Sequence, residues 1–236
     1  MENLFFSVVV PAHNEAGYIE KTIEKLKSID YPRDFFEVII VENGSTDNTN
    51  EIISKYAPSY FRIISVDKNN VSIARNEGLK KVRDDSDWVI FLDADTYFEK
   101  DFFKELNKYL FSNSHKKLGN GMVSLLPDPN SRYARGWYHF YNLANHITKS
   151  TRSIQIIRRD LLTKIKYDET LTFDEDTKLI KQCQQTTKFF FLGTKNVFSS
   201  TRRFVRKGWF RQLFIWIYFH FQTEEKKKKI SYEVTR

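Results

Sequence analysis

Two aspartates lie one residue apart, directly after a run of apolar residues. Asp93 and Asp95 follow the segment 88–92, which reads WVIFL. Two carboxylates with open positions around them suit Mg²⁺ or Mn²⁺ bound together with a substrate diphosphate, provided that an extended backbone points both side chains the same way. The structural alternative is that Asp93 ends a strand and that Asp95 or Thr96 caps a helix beginning near Glu99.

A second acidic group, Asp174 to Asp176, precedes a helical pattern that contains Leu179 and Ile180. One of these carboxylates could act as a general base toward a hydroxyl group. Acids in the first turn of a helix also complement the helix dipole and need no chemical role. The residues themselves leave both interpretations open.

Glutamate and arginine side chains form a third set of candidates. Glu42 stands at the end of an apolar segment, where its carboxylate could accept N–H groups from the edge of a nucleobase. The segment 43–49 behind it has ordinary turn and helix-capping chemistry. Arg202 and Arg203 could pair with phosphate oxygens or form a solvated basic turn. Arg75, in the first turns of a predicted helix, would by itself be an exposed arginine.

Apolar segments and helical patterns alternate in the first half of the chain, which predicts a doubly wound α/β fold. Short β-branched or aromatic runs, apolar enough to be covered on both faces, predict parallel strands at 5–10, 37–41, 61–66 and 88–92. Apolar residues spaced three and four apart predict helices after the first, second and fourth runs. Ligands of such sheets bind beyond the carboxyl ends of the strands. The polar segments after strands one, two and four should therefore share one rim.

The pattern changes after about residue 112. It predicts a loop at 112–121, a strand at 122–126, a loop at 127–136, an aromatic-rich helix at 137–147, a strand turning into a helix at 153–165, and a hairpin or a pair of strands at 188–200 around Gly193.

Taken in order, these segments resemble the family 2 glycosyltransferases with the GT-A fold. The pieces that carry the resemblance are VVPAHNE, VENGSTDNT, ARNEG, FLDADT and EDTKL, and it runs from about Phe6 to Phe204. It implies a Rossmann-like, mostly parallel sheet flanked by helices. The domain at 1–205 would have a nucleotide-binding half at 1–112 and an acceptor half at 113–205.

The resemblance also implies a role for each motif. The nucleotide pocket would be formed by Pro11, Ala12, Glu15, Glu42, Arg75 and Asp93, with Glu42 at the base. The remaining roles would fall to the metal-binding DxD pair Asp93 and Asp95, to the ED pair Glu175 and Asp176 with Asp176 as the catalytic base, and to Gln155, Arg202 and Arg203 on the acceptor or diphosphate side.

The implied reaction is the inverting, metal-dependent transfer of one sugar from a UDP- or GDP-sugar to a lipid-linked or glycan acceptor. Two departures from the family pattern concern its partners. Glu42 stands where the family usually has an aspartate, which affects the choice of base, and Ile165 with Lys166 replaces a pair of small residues before the ED element. The sequence lacks the QxxRW motif of processive polysaccharide synthases, so we expect single transfer.

The C-terminal tail, 206–236, is basic and aromatic. Residues 202–229 hold nine lysines and arginines against two glutamates, in a chain of net charge +8. An aromatic helix at 209–221 would be about 20 Å long, shorter than the roughly 30 Å hydrocarbon core of a bilayer. It could lie on an anionic membrane surface, or it could belong to a core or a dimer.

A cytoplasmic protein, at most peripheral on the inner face of the cell membrane, is expected from the single cysteine, the lack of a basic leader and the lack of an apolar run of about 20 residues. Two other functions stay open. A sugar nucleotidyltransferase would share the sheet and the acids, but it requires a glycine-rich, basic phosphate loop after strand one, where this chain has PAHNEA. A nucleic-acid-binding module could use the basic tail, although the acidic rim repels phosphates, so no nucleic acid is expected.

Overall fold

The computed structural model describes residues 2–151, 153–171, 174–220 and 222. The strands are β1 Phe6–Ala12, β2 Phe36–Glu42, β3 Arg62–Ser65, β4 Trp88–Leu92, β5 Thr96–Phe98, β6 Leu118–Val123, β7 Leu126–Asp128, β8 Ile154–Arg158, β9 Lys188–Leu192 and β10 Val197–Ser200. The α-helices are α1 Ile19–Lys27, α2 Thr49–Tyr56, α3 Val71–Leu79, α4 Phe102–Ser112, α5 Arg132–Thr148, α6 Glu175–Gln184, α7 Arg202–Lys207 and α8 Trp209–His220.

Seven strands form the central sheet in the order β3-β2-β1-β4-β8-β6-β9. The first four strands of the chain pair in parallel, as the alternating apolar segments predict. β8 runs antiparallel to β4 and β6, whereas β6 and β9 are parallel. The predicted α/β fold with a mostly parallel sheet flanked by helices is confirmed.

Strand β1 lies between β2 and β4 of this sheet and is buried on both faces. Val8 and Val10 belong to one hydrophobic cluster and Val9 to another, because successive side chains of a strand point to opposite faces. Helix α3 packs closely against the second face. A Cβ added at Gly78 of α3 would lie 2.4 Å from Cγ1 of Val9 and 3.0 Å from Cγ2 of Val41, so this close approach requires glycine.

A second, three-stranded sheet has the order β5-β10-β7. β10 pairs antiparallel with β5 and parallel with β7. The prediction of two strands at 188–200 is confirmed, but a hairpin between them is wrong. β9 pairs with β6 in the central sheet, whereas β10 finds its hydrogen-bond partners in the small sheet.

The predicted loops of the second half are shorter than expected. β6 begins at Leu118 inside the predicted loop 112–121, and Gly121 leaves room for the ring of Phe190, which a Cβ would approach to 2.5 Å. Helix α5 begins at Arg132 rather than 137, because the Ser131 side chain caps it by accepting a hydrogen bond from the Ala134 N–H at 3.1 Å. Part of each predicted loop thus belongs to a strand or a helix, namely β6 for the first loop and α5 for the second.

The segment 153–165 forms β8 and then a single 3₁₀ turn, Leu161–Thr163, so the predicted α-helix is wrong there. β8 runs on to Arg158, and the Leu162 N–H donates to the carbonyl of Arg159 at 3.1 Å directly after it. The chain leaves the strand and turns at once.

Aromatic side chains join α5, α7 and α8. Phe204 of α7 stacks on Trp209 of α8 at 4.9 Å between ring centroids, and Trp137 of α5 lies 5.6 Å from Trp209. The helix predicted at 209–221 is therefore present as α8, although residue 221 and the lysines 226–229 lie outside the described residues. Across the described part of the chain, no helix has the length and apolar character needed to cross a membrane.

Candidate functional site

The two aspartates after β4 lie in a tight turn. The Thr96 N–H donates to the carbonyl of Asp93 at 2.9 Å, so the backbone is not extended as the sequence analysis assumed. Thr96 then begins β5, and α4 begins only at Phe102. The alternative in which Asp95 or Thr96 caps a helix is therefore wrong, because a strand stands between the turn and the helix.

Asp93 forms a buried ion pair with Arg75. The Arg75 guanidinium lies 3.0 Å from Oδ1 of Asp93 and, through its other terminal nitrogen, 3.0 Å from Oε1 of Glu175. The Arg75 side chain is only 3% exposed, which contradicts the expectation of an exposed arginine. One cation thus joins a carboxylate of the DxD turn to a carboxylate of the ED pair.

Electrostatics keep Arg75 charged in this position. Burial by itself lowers its pKa, but Tyr167, Asp93 and Glu175 raise it well above its ordinary value overall. The guanidinium also lies 5.0 Å from the centroid of the Tyr167 ring. Arg75 is therefore permanently charged, and it stabilises the carboxylates of Asp93 and Glu175 beside it.

Tyr167 connects Arg75 to the predicted acceptor residue Gln155. The Tyr167 hydroxyl donates to Oε1 of Gln155 at 2.9 Å, and both side chains are buried. Gln155 lies in β8 opposite Phe91 of β4. The structure therefore places Gln155 behind Arg75, and a contact between Gln155 and an acceptor stays a prediction.

The second aspartate of the turn pairs with Arg202, the first residue of α7. The Arg202 Nε lies 3.0 Å from Oδ2 of Asp95, and another guanidinium nitrogen lies 2.5 Å from Oε1 of Glu15. The guanidinium also covers the ring of Tyr18 at 4.3 Å. Burial lowers the pKa of Arg202, but Asp95 and Glu15 raise it well above its ordinary value overall. Two sequence-distant motifs thus meet at this arginine.

Arg203, the next residue of α7, also lies near this turn. Together with Asp95, Phe204 and Tyr138 it lines a cavity of about 20 Å³. The hydroxyl of Tyr138 donates to the carbonyls of Ser199 and Ser200, at 3.1 Å each. Tyr138 of α5 and Phe204 of α7 therefore lie next to Asp95.

The loops after β1 and β2 form the neighbouring part of the rim. Ala12 pairs with Glu42 in the register of the two strands, and Pro11 is one position earlier. Glu42 is buried, and its Oε1 accepts from the N–H of Ser45 at 2.6 Å. Asn14, with a φ of 54°, accepts from the Thr46 N–H at 2.8 Å. The two loops are thus held together before any ligand binds.

The ED pair lies in the first turn of α6, where both carboxylates also complement the helix dipole. Glu175 is bound to Arg75, whereas Oδ1 of Asp176 accepts from the N–H of Thr177 at 2.7 Å. Asp176 is 7% exposed. The two acids therefore have different partners although they are adjacent in sequence.

Asp168 stabilises the segment that leads to this helix. Its carboxylate accepts from the N–H and the hydroxyl of Thr170 and pairs with Lys178 of α6 at 3.0 Å. The hydrogen bond from the Thr170 hydroxyl, together with Lys178, lowers the pKa of Asp168 to about 2. These contacts position the start of α6.

The donor set of the turn fits a divalent cation that is shared with a ligand. Among the residues that the structure describes, no group of three or more histidine, cysteine, aspartate or glutamate side chains could hold a metal ion by itself. Asp93 and Asp95 supply two hard carboxylates, and a substrate diphosphate can supply further oxygens. Arg202 contacts only Oδ2 of Asp95, so the other oxygen of that carboxylate could face a cation.

Two aromatic residues of the site were missed in the sequence analysis, Tyr18 and Tyr167. Tyr18 contacts Arg202, far away in the chain, and Tyr167 contacts Arg75. Neither belongs to a recognisable motif. Only the fold brings each ring to its arginine.

Comparison with known proteins identifies the first half of the chain. Residues 7–116 match the sequence model of "Glycosyl transferase family 2". The chain is 25% identical over 198 residues to the "Minor teichoic acid biosynthesis protein GgaA" of Bacillus subtilis (strain 168), a match that covers 75% of this chain and 42% of that relative. It is 28% identical over 106 residues to the "Poly(ribitol-phosphate) beta-N-acetylglucosaminyltransferase TarS" of Staphylococcus aureus (strain Mu50 / ATCC 700699), covering 44% of this chain and 18% of TarS. The chain thus spans less than half the length of these relatives.

Solved structures show the same fold. A crystal structure of S. aureus TarS 1-349 in complex with UDP-GlcNAc superposes with a TM-score of 0.68 at 23% identity, covering 84% of this chain and 58% of that chain. The mannosyltransferase PcManGT from Pyrobaculum calidifontis, in complex with GDP-Man and Mn²⁺, gives a TM-score of 0.65 at 19% identity, covering 95% and 66%. The predicted GT-A fold is confirmed.

Proposed function

This chain belongs to glycosyl transferase family 2 through its glycosyltransferase domain, and from that premise we propose that it transfers a sugar from a nucleoside diphosphate sugar to an acceptor in an inverting, metal-dependent reaction. The observation that carries the proposal is the meeting of Asp93, Asp95 and Glu175 at one rim through Arg75 and Arg202. These residues come from four separate segments of the chain. Their convergence is what a reaction at a charged diphosphate requires.

The nucleotide is proposed to bind between the loops after β1 and β2. Pro11, Ala12 and Glu15 would line one side and Glu42 the other. One carboxylate oxygen of Glu42 is used by the Ser45 N–H, which fixes the side chain with its second oxygen available to a base. The solved relatives with UDP-GlcNAc and GDP-Man support a UDP- or GDP-sugar as the donor.

Asp93 and Asp95 are proposed to hold Mg²⁺ or Mn²⁺, which when bound neutralises charge on a diphosphate. Arg75 keeps one oxygen of Asp93 in place. Arg202, which lies at the rim beside Asp95, is proposed as a cation for the departing phosphate oxygens, and Arg203 is its neighbour. Positive charge thus surrounds the leaving group from two helices, α3 and α7.

Asp176 is proposed to be the general base. The acceptor hydroxyl oxygen forms a bond to the anomeric carbon while the bond from that carbon to the diphosphate oxygen breaks, and the hydroxyl proton passes to the Asp176 carboxylate. Attack from the face opposite the leaving group inverts the anomeric centre. Glu175 does not suit this role as well, because its carboxylate is paired with Arg75.

We further propose that one sugar is added per acceptor, that the acceptor is lipid-linked or a glycan, and that the reaction occurs in the cytoplasm at the inner face of the membrane. The absence of QxxRW from the sequence supports single transfer. The basic helix α7, which begins at the candidate site, supports an anionic surface nearby.

The substitution Asp176→Asn tests the reaction. With a panel of UDP- and GDP-sugars and Mn²⁺, the parent chain should release nucleoside diphosphate, and the variant should bind the same nucleotide by calorimetry but lose turnover. Asp160→Asn, which changes an exposed aspartate paired with Arg158, is the matched control and should keep full turnover. Normal rates in the Asp176 variant would remove this residue from the base role.

Two further substitutions test the donor site. Asp95→Ala should abolish the difference in nucleotide affinity measured with and without Mn²⁺, and Glu42→Ala should weaken binding of UDP or of GDP but not of both equally. Release of pyrophosphate from a nucleoside triphosphate and a sugar phosphate would instead identify a sugar nucleotidyltransferase.

A further inference from the structure

Helices α5, α7 and α8 combine apolar and basic residues and contain no acidic residue. The sequence has no aspartate or glutamate between positions 129 and 159, nor between 177 and 223. The cations that these three helices carry are Arg132, Arg135, Arg202, Arg203, Arg206, Lys207 and Arg211. These helices therefore supply cations and no acid of their own to the surface, although Arg202 pairs with Asp95 and Glu15 of neighbouring elements.

The same helices expose large apolar side chains to solvent. They are Tyr133 (56% exposed), Phe140 (48%), Leu143 (52%) and Ile147 (70%) on α5, Val205 (68%) on α7, and Phe210 (64%), Phe214 (67%) and Tyr218 (62%) on α8. Each side chain keeps about half or more of its area in solvent, so these residues protrude and do not line a groove. Their spacing along α5 and α8, mostly three or four residues, places them on one face of each helix.

The exposed faces of α5 and α8 meet at a cluster of tryptophans. Trp137 lies 5.4 Å from Phe210, and Tyr133 lies 5.1 Å from Trp209, between ring centroids. Because Phe210 belongs to the exposed row of α8 and Tyr133 to that of α5, the two rows are continuous. We call the exposed apolar residues of α5, α7 and α8, with Arg206 and Arg211, the basic apolar surface.

We propose that the basic apolar surface docks the protein onto an anionic lipid bilayer. Protruding aromatic and aliphatic side chains enter the boundary between headgroups and acyl chains, and cations beside them attract anionic headgroups. A second copy of this chain fits less well, because two such surfaces would bring cations together with no acid to pair with them. The proposal extends the predicted membrane contact of the C-terminal helix to α5, which the sequence did not implicate.

Docking in this way places the candidate site beside the bilayer. Helix α7 begins at Arg202, which contacts Asp95, and carries Val205 and Arg206 of the basic apolar surface one turn later. A bilayer on this surface therefore lies next to the rim of the sheet where Asp95 lies. This consequence for a membrane-borne acceptor rests on the proposed function, whereas docking itself does not.

The test is sedimentation of the full chain with vesicles of phosphatidylcholine, alone or mixed with phosphatidylglycerol, without any donor. We expect binding to the mixed vesicles that weakens as salt is added. Arg206→Gln with Arg211→Gln should reduce the binding constant about 25-fold, at about fivefold for each cation. Phe210→Ser with Phe214→Ser should reduce it by about tenfold or more for each ring.

The matched control is Lys108→Gln with Phe111→Ser on α4, which changes an exposed cation and a ring that is 46% exposed elsewhere on the domain. It should bind as the parent does. All variants change exposed side chains, and equal thermal unfolding midpoints will show that each is folded.

Three outcomes would overturn the proposal. The first is equal vesicle binding by the parent and the Phe210/Phe214 variant, which would assign any binding to other cations such as the lysines at 226–229. The second is equal binding to neutral and anionic vesicles. The third is that the Phe210/Phe214 substitutions convert a dimer into monomers in sedimentation velocity while vesicle binding is absent, which would make the surface a subunit interface. Since no donor is present, inactivity of the enzyme would leave these results unchanged.

Discussion

Replacing Arg75 by glutamine should destabilise the protein strongly, although the side chain is polar and only one methylene is lost. Arg75 is buried and pairs with Asp93 and Glu175 at 3.0 Å each. The neutral amide of Arg75→Gln leaves two carboxylates facing each other without the cation. Breaking a buried ion pair on one side costs about 3–5 kcal/mol.

That cost can be converted into a shift of the unfolding midpoint. The entropy of unfolding is about 2.1 cal/mol/K per residue, so for 236 residues it is about 0.5 kcal/mol/K. A loss of about 3–5 kcal/mol therefore lowers Tm by about 6–10 °C.

Differential scanning calorimetry of the parent, Arg75→Gln and Arg83→Gln measures this directly. Arg83 also pairs with a carboxylate, that of Asp85 at 2.6 Å, but both side chains are more than half exposed. The Arg83→Gln variant should have the same Tm as the parent. If Arg75→Gln shifted Tm no more than Arg83→Gln, the assignment of Arg75 as a buried charge between two carboxylates would be refuted.

Three other predictions concern packing and titration. Gly78→Ala should cost about 1–3 kcal/mol, because its Cβ would meet Val9. Gly136→Ala on α5, where nothing lies within 4 Å, should instead raise the free energy of unfolding by about 0.5–1 kcal/mol. Urea titration measures both variants, and equal changes in the two would contradict the close packing of α3. The hydrogen bonds that lower the pKa of Asp168 to about 2 stabilise the fold above pH about 4. The Tm deficit of Asp168→Asn should therefore be full at neutral pH and disappear as the pH falls from about 4 to about 2, and a deficit that grows on acidification would be inconsistent with it. Burial raises the pKa of Cys183 to about 11, so Ellman's reagent should not react at pH about 8 until urea unfolds the chain; fast labelling of the native protein would show that the thiol is accessible.

The rim could be predicted from the sequence because local patterns determine it. Asp93 and Glu42 each follow an apolar run, and the carboxyl ends of parallel strands lie on one side of a sheet. The pairs Arg75–Glu175 and Arg202–Glu15 could not be predicted, since their members are 100 and 187 residues apart and meet only after the second half has folded.

Local reasoning also failed where a long-range pairing overrides it. The stretch after Asp93 looks like a strand end before a helix, but Thr96 pairs with Ser199 of β10 and becomes a strand. In the same way β10, which follows β9 closely, pairs with β5 rather than with β9. The sequence pattern gives the type of each element more reliably than its partner.

The turn that carries the two aspartates is fixed at its two ends by different sheets. The Asp93 N–H donates to the carbonyl of Ser153 at 3.0 Å, next to β8 of the central sheet, whereas the carbonyl of Asp95 accepts from the N–H of Ser200 at 3.1 Å, in β10 of the small sheet. The spacing of the two carboxylates is therefore set by how one sheet lies on the other. Substitutions in β7 or β10 should therefore change the spacing of the two proposed metal ligands, and the exchange rate of the Ser200 amide hydrogen would report on that alignment.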